Sequence, residues 1–167
     1  STNQAYCNPG CNTANDATMA PTTSLGGNHG GEVSSIIAAT YNNTTSTGLA
    51  GLAQNSSSKI IPIKIASTGT PTTIAEWDLE AVKNAIDWAK DHGAKVISIS
   101  GGPTANTMED APDIKAKLSV AYSNGVLCII AAGNDNSHLP YDSDNYSGAM
   151  VVGGTAKNSN TRWSGSN

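Results

Sequence analysis

Charge is what this 167-residue sequence has least of. Only 13% of its residues are Asp, Glu, Lys or Arg, and the formal net charge is −4. No basic stripe is present, so binding to nucleic acid by neutralising phosphates has no footprint, and nucleic acid is not an expected partner. Long apolar runs are missing too. The longest, Val126 to Ala132, is seven residues, far short of a membrane span, and no membrane partner is expected. The first residues show neither a basic region nor an apolar core of the kind that marks a signal peptide, so the sequence reads as one whose leader has been removed or lies elsewhere. Cysteine is scarce, with three in all. Cys7 and Cys11 bracket Asn-Pro-Gly, a turn that brings two sulfurs close as a small loop disulfide. Zinc would need further Cys or His nearby, and none follows at suitable spacing. Cys128 lies in the apolar run VLCII and reads as a buried free thiol. A disulfide and a polar surface of Ser, Thr, Asn and Gly point to an oxidising, extracellular setting. Asn42, Asn43, Asn55 and Asn145 each start an N-x-S/T triplet, a weak signal on its own.

What is present is organised around Gly26 to Thr40, GGNHGGEVSSIIAAT. Glycines surround His29, and Val33, Ile36, Ile37 and Thr40 recur at helical spacing, predicting a helix from His29 to about Tyr41 with one buried face. On this stretch alone, a loop histidine bonded to its own surroundings is the simpler reading. Residues 1–28 lack periodicity and read as a loop-rich lead-in. Asn42 to Ser58 is a small-residue, turn-rich passage. Lys59 to Ala66, KIIPIKIA, alternates and is β-branched, predicting a strand in which Pro62 is awkward.

Thr73 to Glu76 fits a capping box, and Ile74, Trp77, Val82, Ala85, Ile86 and Ala89 continue at helical spacing to Gly93, a C′ glycine. Ala94 to Ser100 is the next expected strand. Asp110 and Pro112 open a helix whose core face is Ile114, Leu118 and Ala121, closed by Gly125. Val126 to Ala132 and Ala149 to Gly153 are further strands. Alternating strands and helices, with strands apolar on both faces, predict an α/β fold with a doubly wound parallel sheet in one domain.

Ligands of such sheets bind beyond the carboxyl ends of the strands. Two of those ends carry glycine and small polar residues: Ser100-Gly101-Gly102, and Ala131-Ala132-Gly133-Asn134. Open backbone there suits pairing with an extended peptide. An amide donor such as Asn134 suits the oxyanion of a tetrahedral intermediate. An Asx-turn with Asp135 and Asn136 accounts for Asn134 equally well.

Several segments together resemble the subtilisin-like serine proteases. His29-Gly30-Gly31-Glu32-Val33 is similar to the family's H-G-T-H-V-A-G. Gly48 to Ala53 followed by Lys59 to Ile65 resembles GVAG…AKIMPVKV. Asp91 to Gly102 resembles the strand ending in S-x-G-G, one residue shorter. Ala131 to Asn134 matches AAGN, and Leu139-Pro140-Tyr141 through Gly153 is similar to YPA…VI-VGA. The resemblance runs from about His29 to Ser164. It implies a three-layer subtilisin-like fold, present in part, and a secreted endopeptidase acting on extended polypeptide substrates. His29 is then the general base and Asn134 the oxyanion donor. Ser100, Gly101, Gly102, Ala131, Ala132 and Gly133 are walls that pair with the substrate backbone.

Glu32 stands where the family has a second histidine, and a solvated first-turn carboxylate favoured by the helix dipole explains it. The family's D-[ST]-G turn is not found before His29; Asp16 lacks that setting. The G-T-S-M-A nucleophile segment is not reached, and Ser164 and Ser166 match a stretch well before it. These 167 residues are therefore expected to be an internal piece of a protease domain, inactive by themselves, whose partners include the remaining segments of that domain. A peptide-binding domain of the same fold that does not cleave is the alternative. A sedolisin-type peptidase would carry Asp at 134 and Glu at 29, and no G-x-G-x-x-G follows a strand as a dinucleotide enzyme requires. Calcium enters only through the resemblance. Asp142 and Asp144 are its candidates, and loop carboxylates of this kind are more often simply solvated, so no metal site is assigned.

Overall fold

The computed structural model describes residues 29–39, 50–53, 58–63, 65, 79–101, 112–134, 136 and 148–167. The 1–28 lead-in with Cys7, Cys11 and Asp16, the capping box at 73–76, Gly102, Asp110, Asp142 and Asp144 lie outside the described residues. The chain divides into two units, Ser1–Glu76 and Trp77–Asn167.

In the first unit, helix α1 spans His29–Ala38 with Glu32 in its first turn. The Ser34 and Ser35 hydroxyls donate back to the Gly30 and Glu32 carbonyls, at 2.6 and 2.7 Å. This local bonding suits serines that sit inside a helix. The last carbonyls of a helix have no partner within it. Here residues 51–53 supply the donors: Gly51, Leu52 and Ala53 N–H groups reach the carbonyls of Ala39, Ile36 and Ile37 at 2.9, 3.1 and 2.7 Å. Gly51 is buried in that contact, and a Cβ on it would overlap the backbone of Ala38 and Ala39, with Ala38 Cα at 2.6 Å. Residues 51–53 of the turn-rich passage thus cap α1. Two expectations change. Ile36 and Ile37, taken as part of a buried face, are exposed, because the described residues lay nothing over that side. Residues 59–63 and 65, the described part of the strand expected over Lys59 to Ala66, adopt neither helix nor strand. A strand exists by its ladder; no ladder among the described residues includes them, and Pro62 has no N–H to offer one.

The second unit runs α2 (Leu79–Asp91), β1 (Val96–Ile99), α3 (Pro112–Ser123), β2 (Leu127–Ala131) and β3 (Ala149–Val152). Both helices end in a Schellman motif. Gly93 and Gly125 sit at φ +83° and +78°, and the Ala94→Ala89 and Val126→Ala121 bonds, both 3.0 Å, close the last turns. Each chain reversal therefore falls on the glycine that the sequence assigns to it. The sheet is parallel in the order β1-β2-β3, with Ile97 opposite Cys128 and Cys128 opposite Ala149.

Helix α3 packs on β2, β3 and α2. Its core face is the expected one: Ile114, Leu118 and Ala121 are buried and meet buried Cys128 and Ile130 of the sheet, while α2 contributes Val82, Ile86 and Ala89. Burying a side chain such as Leu118 contributes roughly 1.5–3 kcal/mol. Lys83 to Asp113 at 3.4 Å, and the Lys117–Asp87 pair, add ion pairs between the two helices. The opposite sheet face is apolar yet open, with Val96 54%, Met150 54% and Val152 49% exposed. One layer of helices is in place, and the sheet composition is that of a sheet covered on both sides.

Candidate active site

Because the three strands are parallel and in register, their carboxyl ends share one edge of the sheet. Ser100 and Gly101 leave β1 there, Ala132, Gly133 and Asn134 leave β2, and Gly153 and Gly154 leave β3. The structure thus brings Ser100, Gly101, Ala131, Ala132, Gly133 and Asn134 together; Gly102 lies outside the described residues. His29 belongs to the other unit, where it is the exposed first residue of α1.

The turn out of β2 is tightly specified. The Ala132 N–H donates to the Val152 carbonyl at 2.9 Å, which keeps the strand paired up to its last residue. Gly133 then takes φ +99° and Asn136 φ +49°. Both are left-handed values, which glycine adopts freely and asparagine tolerates. Between them, Asn134 is exposed. A polar amide at a strand end, open to solvent and carried on a constrained turn, can meet a substrate carbonyl.

A second layer of residues holds this turn. After β3 the chain forms a hairpin in which Thr155 bridges Arg162 antiparallel, with Asn158 left-handed at φ +58° in its tip. The returning limb reaches the β2 turn. The Asn167 N–H donates to Gly133 O at 3.2 Å, and Asn167 Nδ2 donates to Ala132 O at 3.0 Å. Ser166 is 1% exposed; its hydroxyl accepts from Gly154 N–H at 2.9 Å and donates to Asn167 O at 3.0 Å. Arg162 donates through Nη2 to Asn136 Oδ1 at 3.0 Å and through Nη1 to the Ser166 carbonyl. Asn136 N–H donates to Gly165 O at 3.2 Å. The sequence reading placed Ser166 only by alignment and did not foresee Arg162, Ser166 and Asn167 as supports. The turn formers Lys157-Asn158-Ser159 are a signal by which a reversal could be found in the sequence, but they do not say where the chain lands.

Cys128 is buried, and its burial pushes the thiol above its ordinary value. A thiol held protonated beneath the sheet is inert, as expected of a small hydrophobe. Among the described residues, no three or more His, Cys, Asp or Glu side chains gather into a metal cluster. No described helix is long and apolar enough to cross a membrane.

The chain as a whole can be set beside known proteins. Residues 2–167 match the Subtilase family. Thermitase of Thermoactinomyces vulgaris is 35% identical over 136 residues, covering 81% of this chain and 44% of the relative. Subtilisin Savinase of Lederbergia lenta is 32% identical over 143 residues, covering 84% and 47% respectively. The chain therefore spans less than half the length of the curated relatives it matches. In structure it is similar to a mutant of the protease domain of PatA, with a TM-score of 0.58 and 23% identity over 81% of this chain and 45% of that one. That likeness shows the fold: a partial α/β architecture on a parallel sheet. The chain belongs to the subtilase family of serine proteases.

Proposed function

We propose that this chain is the middle part of one secreted serine endopeptidase domain, with His29 as general base and Asn134 as oxyanion donor. A serine outside these 167 residues attacks the peptide carbonyl, and His29 takes its proton and passes it to the leaving amine. An aspartate also outside them holds the imidazole tautomer. The Asn134 amide donates to the oxygen as it gains charge. The observation that carries this reading is the constrained turn at the carboxyl end of β2, where Gly133 at φ +99° precedes an exposed Asn134 beside Ser100 and Gly101.

Ser100, Gly101 and Gly102 form one wall for an extended polypeptide, and Ala131, Ala132 and Gly133 the other. Ala132 already gives its N–H to Val152 and its carbonyl to Asn167. Its wall thus works mainly by shape. Cys7 and Cys11 pair in the oxidising space where a secreted protease works, and any calcium is held by residues beyond those described. The 167 residues alone lack the attacking serine and do not cleave.

A fluorophosphonate that traps active serine hydrolases, followed by intact-mass measurement, tests the proposal. The natural protein should have a mass above that of 167 residues and gain one covalent label, while the 167-residue polypeptide should gain none. A natural protein that folds and binds extended peptides but takes no label would establish a non-cleaving peptide-binding domain instead.

A further inference from the structure

At the β2 turn the side-chain amide of Asn167 joins two segments distant in sequence by donating to backbone. Asn167 lies 35 residues from Ala132, yet it holds both carbonyls that precede Asn134: Ala132 O through Nδ2 at 3.0 Å and Gly133 O through its own N–H at 3.2 Å. Asn167 is itself fixed from behind. Its carbonyl accepts from the buried Ser166 hydroxyl, and that hydroxyl accepts from Gly154 N–H. The fit is close, since a Cβ on Gly153 would come within 3.0 Å of Ser166 Oγ and 3.3 Å of Asn167 O. A turn pinned at two successive carbonyls has little freedom at the residue that follows. For an oxyanion donor that matters, because stabilisation depends on the amide already standing where charge will develop.

We propose that Asn167 is a positioning residue that clamps the Ala132–Gly133 turn and so sets the place of the Asn134 amide, with Ser166 as its brace. This rests on the reading of Asn134 as the oxyanion donor. Nothing passes through Asn167 itself: it touches neither substrate nor the transferred proton.

The test uses the protease that carries this chain. Asn167→Asp keeps the shape but exchanges the Nδ2 donor for a charged acceptor oxygen facing the Ala132 carbonyl, and Asn167→Leu, read alongside it, removes the donor without adding charge. Ser166→Ala removes the brace; Ser164→Ala, exposed on the same limb, is the control. Asn167→Asp should lower kcat on the order of 10-fold, because small misplacements of a catalytic group are costly, with KM within about 2-fold of wild type. Ser166→Ala should act in the same direction, and Ser164→Ala should leave both constants unchanged. In an Asn134→Ala background, Asn167→Asp should cost nothing further, whereas a merely structural role would multiply the two losses. The Asn134 side-chain amide, assigned in nitrogen-15 spectra by its disappearance in Asn134→Ala, should be one sharp pair in wild type and broadened or doubled in Asn167→Asp. An unchanged kcat, a multiplied loss or an unaltered amide pair overturns the clamp. A wild-type protein without peptidase activity overturns the catalytic reading alone, and the amide spectra then decide the clamp by themselves. If Asn167→Asp does not fold, Ser166→Ala read by the same spectra takes its place.

Discussion

The proposed mechanism gives the Asn134 side chain and the His29 imidazole different kinds of chemical work, and kinetics separate them. Replacing Asn134 by Ala in the active protease should lower kcat about 10²–10³-fold and change KM little, since its hydrogen bond matters most once charge has developed. Replacing His29 by Ala removes the group that activates the nucleophile, and should lower kcat by at least about 10⁴-fold and abolish fluorophosphonate labelling. Equal losses in kcat/KM from KM alone would contradict both assignments. Gly51 offers a stability test of a different kind. Gly51→Ala places a methyl group against the backbone of Ala38 and Ala39, which cannot rotate away. A loss of about 1–3 kcal/mol is expected in urea unfolding, and a neutral result would mean that residues 51–53 do not cap α1. The small-residue segments Ser100-Gly101 and Ala131 to Asn134 were legible as strand ends because glycine and small polar residues replace the apolar run there, while the roles given to His29 and Asn134 belong to the proposal. Asn167 and Ser166 were not legible. Their partners are Ala132, Gly133 and Gly154, and nothing in RWSGSN names them.

Among elements, those with a punctuated end were the readable ones. Pro112 opens α3, and Gly93 and Gly125 close α2 and α3 as their positions foretold. The stretch Lys59 to Ala66 has the alternation of a strand, but its described residues, 59–63 and 65, join no ladder among the described residues, because pairing is a property of two segments and the pattern belongs to one. The helix layer yields two predictions. Leu118, fully buried between α2 and the sheet, should cost about 2–5 kcal/mol on replacement by Ala, measured by chemical denaturation; a cost below 1 kcal/mol would show that α3 is not the core of its unit. At the end of α2, the Lys90 ammonium bonded to Asp91 holds that carboxyl below its ordinary value of 3.8, with smaller help from the charges of His92 and Lys117. A depressed carboxylate stabilises the fold above its unfolded value and loses that contribution as pH falls through the folded one. Asp91→Asn should therefore lower stability slightly at neutral pH, where the wild-type carboxylate contributes, and leave it unchanged in acid strong enough to protonate Asp91. Stability against pH then flattens below about pH 4, as thermal melts from neutral into the acid range would record.

For the whole molecule, the decisive feature is a sheet finished on one side. Cys128 and Ile130 point into the layer made by α3, and the alternate residues Val96, Met150 and Val152 stand half exposed on the other face. Apolar residues on both faces are a composition for burial on both faces, so the sequence already encodes a third layer that the described residues do not supply. Exposed apolar sheet of this kind binds dyes and other copies. The 167-residue polypeptide should therefore enhance anilinonaphthalene-sulfonate fluorescence and self-associate in sedimentation. The natural, longer protein should do neither. Met150→Lys separates this from general misfolding. On an open face, lysine is tolerated and should reduce dye binding and association in the 167-residue chain. In the longer protein, where that face is covered, the same substitution buries a charge and should destabilise by several kcal/mol. If Met150→Lys is equally harmless in both, the face is open to solvent in the working protein, and its apolar residues must serve a partner rather than a core.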